Sequence, residues 1–394
     1  MTTIRKLRSL LAALLLVPAA TSHAQFAPPQ VAFQSADPAA QHFDLYRDTR
    51  IFLDGKINGQ ATPMLLDSGA SVTVVDRAFA ASLGLKGGTP IGVQGAGGSE
   101  RGELYRGVTV TAGNLSFNGL TVAAMDLSLV EKALGRRVPV VLGREVFMNS
   151  VVTIDFDRQE IAFAPRSGFP PPVDATEVKL RRRGALHVLP IKIDGLPPHD
   201  AIFDLGNSGA ISLSQEYHRS LPYFATLPSA TGMSGGVGGL HEVRRVTLPS
   251  VEIAGVRFDH VPAQLGALAS GPYSGMINAG IQLFRPFVLT LDLAGDRMWL
   301  KRTAAPAVFS RDRAGLFVTF EGDHYSVKHV TADGPAAKSG LKVGDDIVSV
   351  AGRKVTAVFP NSPEADWPFG KAGTPVEIGL ADGRSVLVTL ADFY

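Results

Sequence analysis

The 394-residue sequence predicts a mainly β protein, built from two similar β lobes followed by a smaller third domain. Three observations carry this: a repeat at constant spacing, period-two alternation bounded by turn residues, and a composition of 42 Gly, 26 Pro and 19% charged residues. Such a composition suits short strands joined by tight turns better than helical bundles. The repeat is plain in the sequence. Asp67 and Asp204, Gly143 and Gly280, Phe147 and Phe284, and Asp155 and Asp292 each stand 137 residues apart. The glycine-rich runs from Gly95 and Gly232 keep that offset, and only the stretches around 114–119 and 251–256 slip. Five features at one spacing imply a duplicated unit.

The elements follow in chain order. Arg5, Lys6 and Arg8 precede LLAALLLVPAA (10–20), an apolar run too short to span a bilayer, and Ser22-His23-Ala24 ends it. Residues 1–24 therefore read as a cleaved signal peptide, and the protein is expected to be periplasmic or secreted, with 25–45 an N-terminal linker. No later apolar run is long enough to cross a membrane. The 38 basic and 36 acidic residues, less the three basic ones of the leader, leave the mature chain close to neutral. That balance points to no nucleic-acid partner and no anionic membrane surface. The absence of cysteine excludes disulfides, thiol catalysis and a lipid-anchored N-terminal cysteine.

The first lobe is expected over 46–165 and the second over 178–303. Alternation in VTVTAGNLSFNGLTV and VTLPSVEIAGVRF places hairpins at Gly113-Asn114 and Ala254-Gly255. VVTIDFDRQEIAF and FVLTLDLAGDRMWL read as hairpins closing each unit, and RAFAASLG (77–84) and QEYHRSLP (215–222) as short helices at matching places. The proline-rich connector 166–177 is expected to be extended. The third domain, 304–394, carries GPAAKSGLKVGDDIVSVAGRKV, which resembles the most recognisable stretch of PDZ domains. That resemblance implies a carboxylate-binding loop at Gly315, Leu316, Phe317 and Val318, and a domain that either recruits substrates or partners by their C-termini or regulates access to the rest of the chain. The stretch 360–373, with its prolines and glycines, fits the family's peptide-flanking helix poorly.

The chemistry centres on two aspartates. In MLLDSGASVTVV (64–75) and AIFDLGNSGAISLS (201–214) apolar residues run up to an Asp, and a Gly follows two positions later. A turn-initiating Asp is common, but a surface turn seldom sits between two such apolar runs. Two like units tend to pack about a pseudo-two-fold axis, where equivalent residues meet. Carboxylates brought to about 3 Å cannot both ionise, so the pair would share a proton and serve as general base and general acid.

Residues 46–303 resemble the retropepsin-like and pepsin-like aspartic proteases in the bacterial form with both lobes in one chain. The resemblance rests on Leu66-Asp67-Ser68-Gly69-Ala70-Ser71 and on Val141-Leu142-Gly143. It implies a catalytic dyad of Asp67 and Asp204 within loops formed by Ser68, Gly69, Leu205 and Gly206. It implies flap hairpins at Gly95, Ala96, Gly97 and Gly98 and at Ser234 and Gly235, and a peptide or protein substrate cleaved without cofactor or metal. Leu205 departs from the family's Thr/Ser, and Asn278-Ala279-Gly280 from its apolar-apolar-Gly element. Loss of one cross-loop hydroxyl bond should cost about 1 kcal/mol, which loosens a dyad without removing it.

Other readings are weaker. Gly232-Met233-Ser234-Gly235-Gly236 satisfies G-x-S-x-G but lacks the following helix. The nine histidines show no metal-ligand spacing, and the glycine runs lack a phosphate loop's Lys. Arg181–Arg183 fits a solvated strand edge. A protease-like shell that binds peptide without cutting it is the alternative of another class, favoured by Leu205.

Overall fold

The computed structural model describes residues 15–16, 28–35, 40–95, 98–268 and 274–394. The leader expected at 1–24 lies outside these apart from Leu15–Leu16, which pair with Val93 and Gln94. The architecture is mainly β, in four sheets. Turn chemistry accounts for much of it. Ala254 and Gly255, at φ 51° and 79°, form the two-residue bend between Gly239–Ile253 and Val256–Leu268, the left-handed geometry that matches strand twist. Asp76 and Ser214 cap the helices Arg77–Ser82 and Gln215–Ser220 by accepting from the amides of Phe79 and Tyr217.

The first unit forms a ten-stranded sheet and the second an eight-stranded one. In each, a strand reaches its aspartate and another strand lies parallel beside it. Met64–Leu66 pairs with Val140–Leu142, and Ala201–Asp204 with Ile277–Gly280. The closing hairpins merge in a six-stranded sheet, where Val152–Asp155 runs antiparallel to Val288–Leu291. Thr153 stands opposite Thr290, 137 residues away, with their hydroxyls 3.5 Å apart. One apolar core runs through both units.

The segment 25–45, expected as a linker, instead contributes strands where it is described. Gln30–Phe33 pairs with Leu115–Asn118 because Val31 and Phe33 pack on the main core, and Asp44–Tyr46 pairs with Arg50–Phe52. The connector is extended only in part, since Thr176–Lys179 pairs with Arg297–Leu300. Arg181–Arg183 is an exposed strand at the sheet edge.

Residues 314–390 hold a separate apolar core around six strands. Leu316–Phe320 is the edge strand of that sheet, and 3₁₀ turns over Phe359–Asn361 and Pro363–Phe369 replace a regular helix. The edge strand packs against the helix Ser128–Leu134 of the first unit, an element the sequence reading missed. Lys132 pairs with Glu321 there at 2.6 Å, and the Tyr46 hydroxyl donates to the Leu134 and Pro360 carbonyls at 2.9 and 3.2 Å. No helix among the described residues is long and apolar enough to cross a membrane.

Candidate active site

Asp67 ends the apolar strand Gln60–Leu66, and its Oδ1 accepts from the amides of Gly69 and Ala70 at 2.8 and 3.1 Å. Such Asx turns come naturally to an Asp followed by small residues. The strand behind fixes the loop: the Asp67 amide donates to Leu142 O at 3.0 Å, and the Arg144 amide to Ala70 O at 2.9 Å. Further back, Glu145 accepts from the amide and hydroxyl of Thr73 at 2.9 and 3.1 Å, and burial pushes its carboxyl up to about 7.

The second loop is built alike. Asp204 ends His199–Asp204, and its Oδ1 accepts from Gly206 N at 2.9 Å. Its Oδ2 accepts from Asn278 Nδ2 at 2.7 Å, and Asn278 Oδ1 accepts in turn from Asn207 Nδ2 at 2.8 Å. Asn278 therefore does more than fail to be apolar: it supplies a charge-assisted hydrogen bond with no counterpart at Val141. Ser68 Oγ accepts from Leu205 N at 2.9 Å, a contact across 137 residues. The Leu205 side chain, having no hydroxyl to return the bond, is buried in the main core.

The two carboxyls face one another's loops. A Cβ on Gly69 would lie 2.6 Å from Asp204 Oδ1, and one on Gly206 would overlap the Asp67 carboxyl. Glycine at these positions supplies space for close approach. Burial, then the charge on Asp204, pushes Asp67 up to about 7 against the pull of the Gly69 amide and Arg50. Burial also raises Asp204, but the Asn278 and Gly206 bonds and Arg50 restrain it.

A cavity of about 170 Å³ lies between the loops, lined by Asp67, Ala70, Asp204, Gly206, Asn278 and Arg50 among others. Ser234 and Gly235 of the second hairpin line it as well. Among the described residues, Gly95 and Gly98 of the first hairpin meet the second hairpin and do not line the cavity: a Cβ on Gly95 would reach the Val237 carbonyl, and one on Gly98 the Gly238 carbonyl at 3.0 Å. Ala96 and Gly97 lie outside the described residues. Leu316, Phe317 and Val318 begin the edge strand Leu316–Phe320, with Gly315 just before it, and none of the four lines this cavity. A larger space of about 1100 Å³, between Ser128–Leu134 and the C-terminal unit, contains mutually paired charges and neither aspartate.

Ser234 lies in a hairpin strand opposite His241, whose two ring nitrogens have no hydrogen-bond partner among the described residues, so these two form no serine–histidine pair. Among the described residues no three His, Asp or Glu side chains are grouped to hold a metal ion. Sequence reading missed Arg50, and it took Asn278 for a defect. The polar residue at a position expected to be apolar was the available signal for Asn278, and no local signal pointed to Arg50.

The aspartyl protease family model matches residues 53–146. The match holds Asp67, Ser68, Gly69 and the strand behind them, and stops short of Asp204. It suggests a peptidase, hence peptide or protein substrates. No curated protein matches the chain.

Proposed function

We propose that this protein is an aspartic endopeptidase in which Asp67 and Asp204 form one catalytic pair across a pseudo-two-fold axis relating 46–165 to 178–303. The observation that carries the reading is the reciprocal approach of the two carboxyls, each against the glycine of the other's loop. The pairing of Thr153 with Thr290, and of Ser68 with Leu205, supports the axis, because both join residues one repeat apart.

Donor placement sets the roles. Asp204 accepts from Asn278 and Gly206, which favours its charged form, so Asp67 carries the shared proton. A water between them gives a proton to Asp204 as its oxygen bonds to the scissile carbonyl carbon, and Asp67 donates to the carbonyl oxygen. Collapse of the resulting diol breaks the C–N bond, with a proton passing to the leaving amine. A cavity of about 170 Å³ is below the roughly 300 Å³ of ordinary ligand pockets, so the hairpins must lift to admit a peptide.

The C-terminal unit, 304–394, is read as a PDZ domain with a regulatory role. Its edge strand faces Ser128–Leu134 and not open solvent, which disfavours free capture of protein C-termini in this arrangement. It also grips the second hairpin: Thr331 donates to Thr231 O at 2.8 Å, and Asp312 pairs with Arg245. The leader reading implies export to the periplasm or beyond.

The test is cleavage of a peptide library by the purified chain. Asp67→Asn and Asp204→Asn should each abolish it. Binding that persists in both variants, with no cleavage by the wild type, would instead establish the non-cutting shell that Leu205 favours.

A further inference from the structure

Arg50 opens the strand Arg50–Ile57, after a bend in which Arg47 and Asp48 take φ of 47° and 57°. It lines the same cavity as Asp67 and Asp204. Among the described residues lining that cavity it is the one cation, the two aspartates are the anions, and the others are apolar or neutral. Arg50 joins no ion pair among the described residues, and its hydrogen bond is a long one, 3.4 Å from Nη1 to the neighbouring Thr49 carbonyl. A guanidinium has five N–H donors in a planar fork, so most of this fork's donors are uncommitted. Burial disfavours its charge, and the attraction of Asp67 and Asp204 opposes that effect.

The arrangement is one-sided. One repeat further on, at 137 residues, stands His187, which turns to Asp296 at 3.2 Å and lines no part of the cavity. Among the described lining residues, the cleft's one cation thus stands on the side of the first unit. We propose that Arg50 binds substrate directly, selecting peptides with an Asp or Glu side chain on the side of the scissile bond that lies over the first unit. This inference rests on the endopeptidase reading. A pair sharing one proton carries one negative charge, which balances Arg50 in the resting cleft but contacts it through no ion pair. An arriving carboxylate would meet a desolvated fork suited to bidentate recognition, whereas a glutamine in the same place forms only neutral-acceptor bonds.

The experiment is a positional scan of synthetic peptides in Glu/Gln pairs around the cleaved bond, with the full chain. kcat/KM should favour Glu roughly tenfold or more at one position on one side of the bond. Arg50→Met should erase that ratio, and Arg50→Lys should keep part of it. The same pairs are tested for binding to the Asp67→Asn protein by fluorescence anisotropy. Equal cleavage of Glu and Gln peptides at every position by the wild type overturns the proposal, whether or not Arg50→Met folds. So does an Arg50→Met enzyme with an altered pH profile and an unchanged ratio, since Arg50 then acts only on the aspartates. Acid-selective, Arg50-dependent binding without cleavage by the wild type would sink the endopeptidase reading and leave the Arg50 assignment standing.

Discussion

Replacing Asn278 by Val is the sharpest probe of the proposed division of work between the two carboxyls. Val141 occupies the equivalent place in the first unit, so the substitution restores a residue that this fold already accommodates. What it removes is the 2.7 Å bond from Asn278 Nδ2 to Asp204 Oδ2, at a position only 2% exposed. A hydrogen bond to a charged group contributes about 1.5–3 kcal/mol, and 1.36 kcal/mol corresponds to one pH unit. Losing a donor to the charged form raises an acid, so Asp204 should take up its proton about one to two pH units higher. Asn207 loses one acceptor but keeps Ser212 Oγ at 3.3 Å, which limits collateral damage. The assay is kcat/KM against pH on a single peptide, whose acid limb reports the pair's lower macroscopic ionisation. An upward shift of that limb by about one to two units is expected. A folded variant with an unmoved acid limb would show that Asn278 does not hold the charge on Asp204, and the assignment of base and acid would fall.

Gly206→Ala places a methyl group against the Asp67 carboxyl; a displacement of about 1 Å between the acids should cost about 100-fold or more in kcat/KM, and wild-type rates would contradict the close pairing. Asp67 also links stability to pH. Held at about 7 when folded against an ordinary 3.8, it binds its proton more tightly folded than unfolded, so its contribution is complete below about pH 4 and is lost as pH rises toward 7. That displacement corresponds to at most about 4 kcal/mol. Asp67→Asn, free of this loss, should melt higher than wild type at pH 7.5 and close to it at pH 4, as followed by calorimetry. Asp312→Asn leaves Arg245, whose side chain is 13% exposed, without its carboxylate; a loss of about 3 kcal/mol in urea unfolding is expected, and no loss would mean the C-terminal unit does not anchor the second hairpin there.

Near-neighbour chemistry made much of this protein legible in its sequence. Ala254-Gly255 takes its bend from backbone preference at two residues, and Asp76 and Ser214 cap the helices that follow them by accepting from amides three residues on. The Asx turn at Asp67 closes within three residues. The constant 137-residue spacing was readable as well, and the strands beside Asp67 and Asp204 pair in matching register at that spacing. Other features arise only when distant surfaces dock. Asn278 reaches Asp204 across 74 residues, and Tyr46 reaches Pro360 across 314. The contact of Gly95 and Gly98 with Val237 and Gly238, the helix Ser128–Leu134 on the edge strand, and the turn of Arg50 into the cleft while His187 faces away are of the same kind. No local pattern encodes these contacts, since a side chain's partner across packed sheets depends on the register and twist of every strand between them.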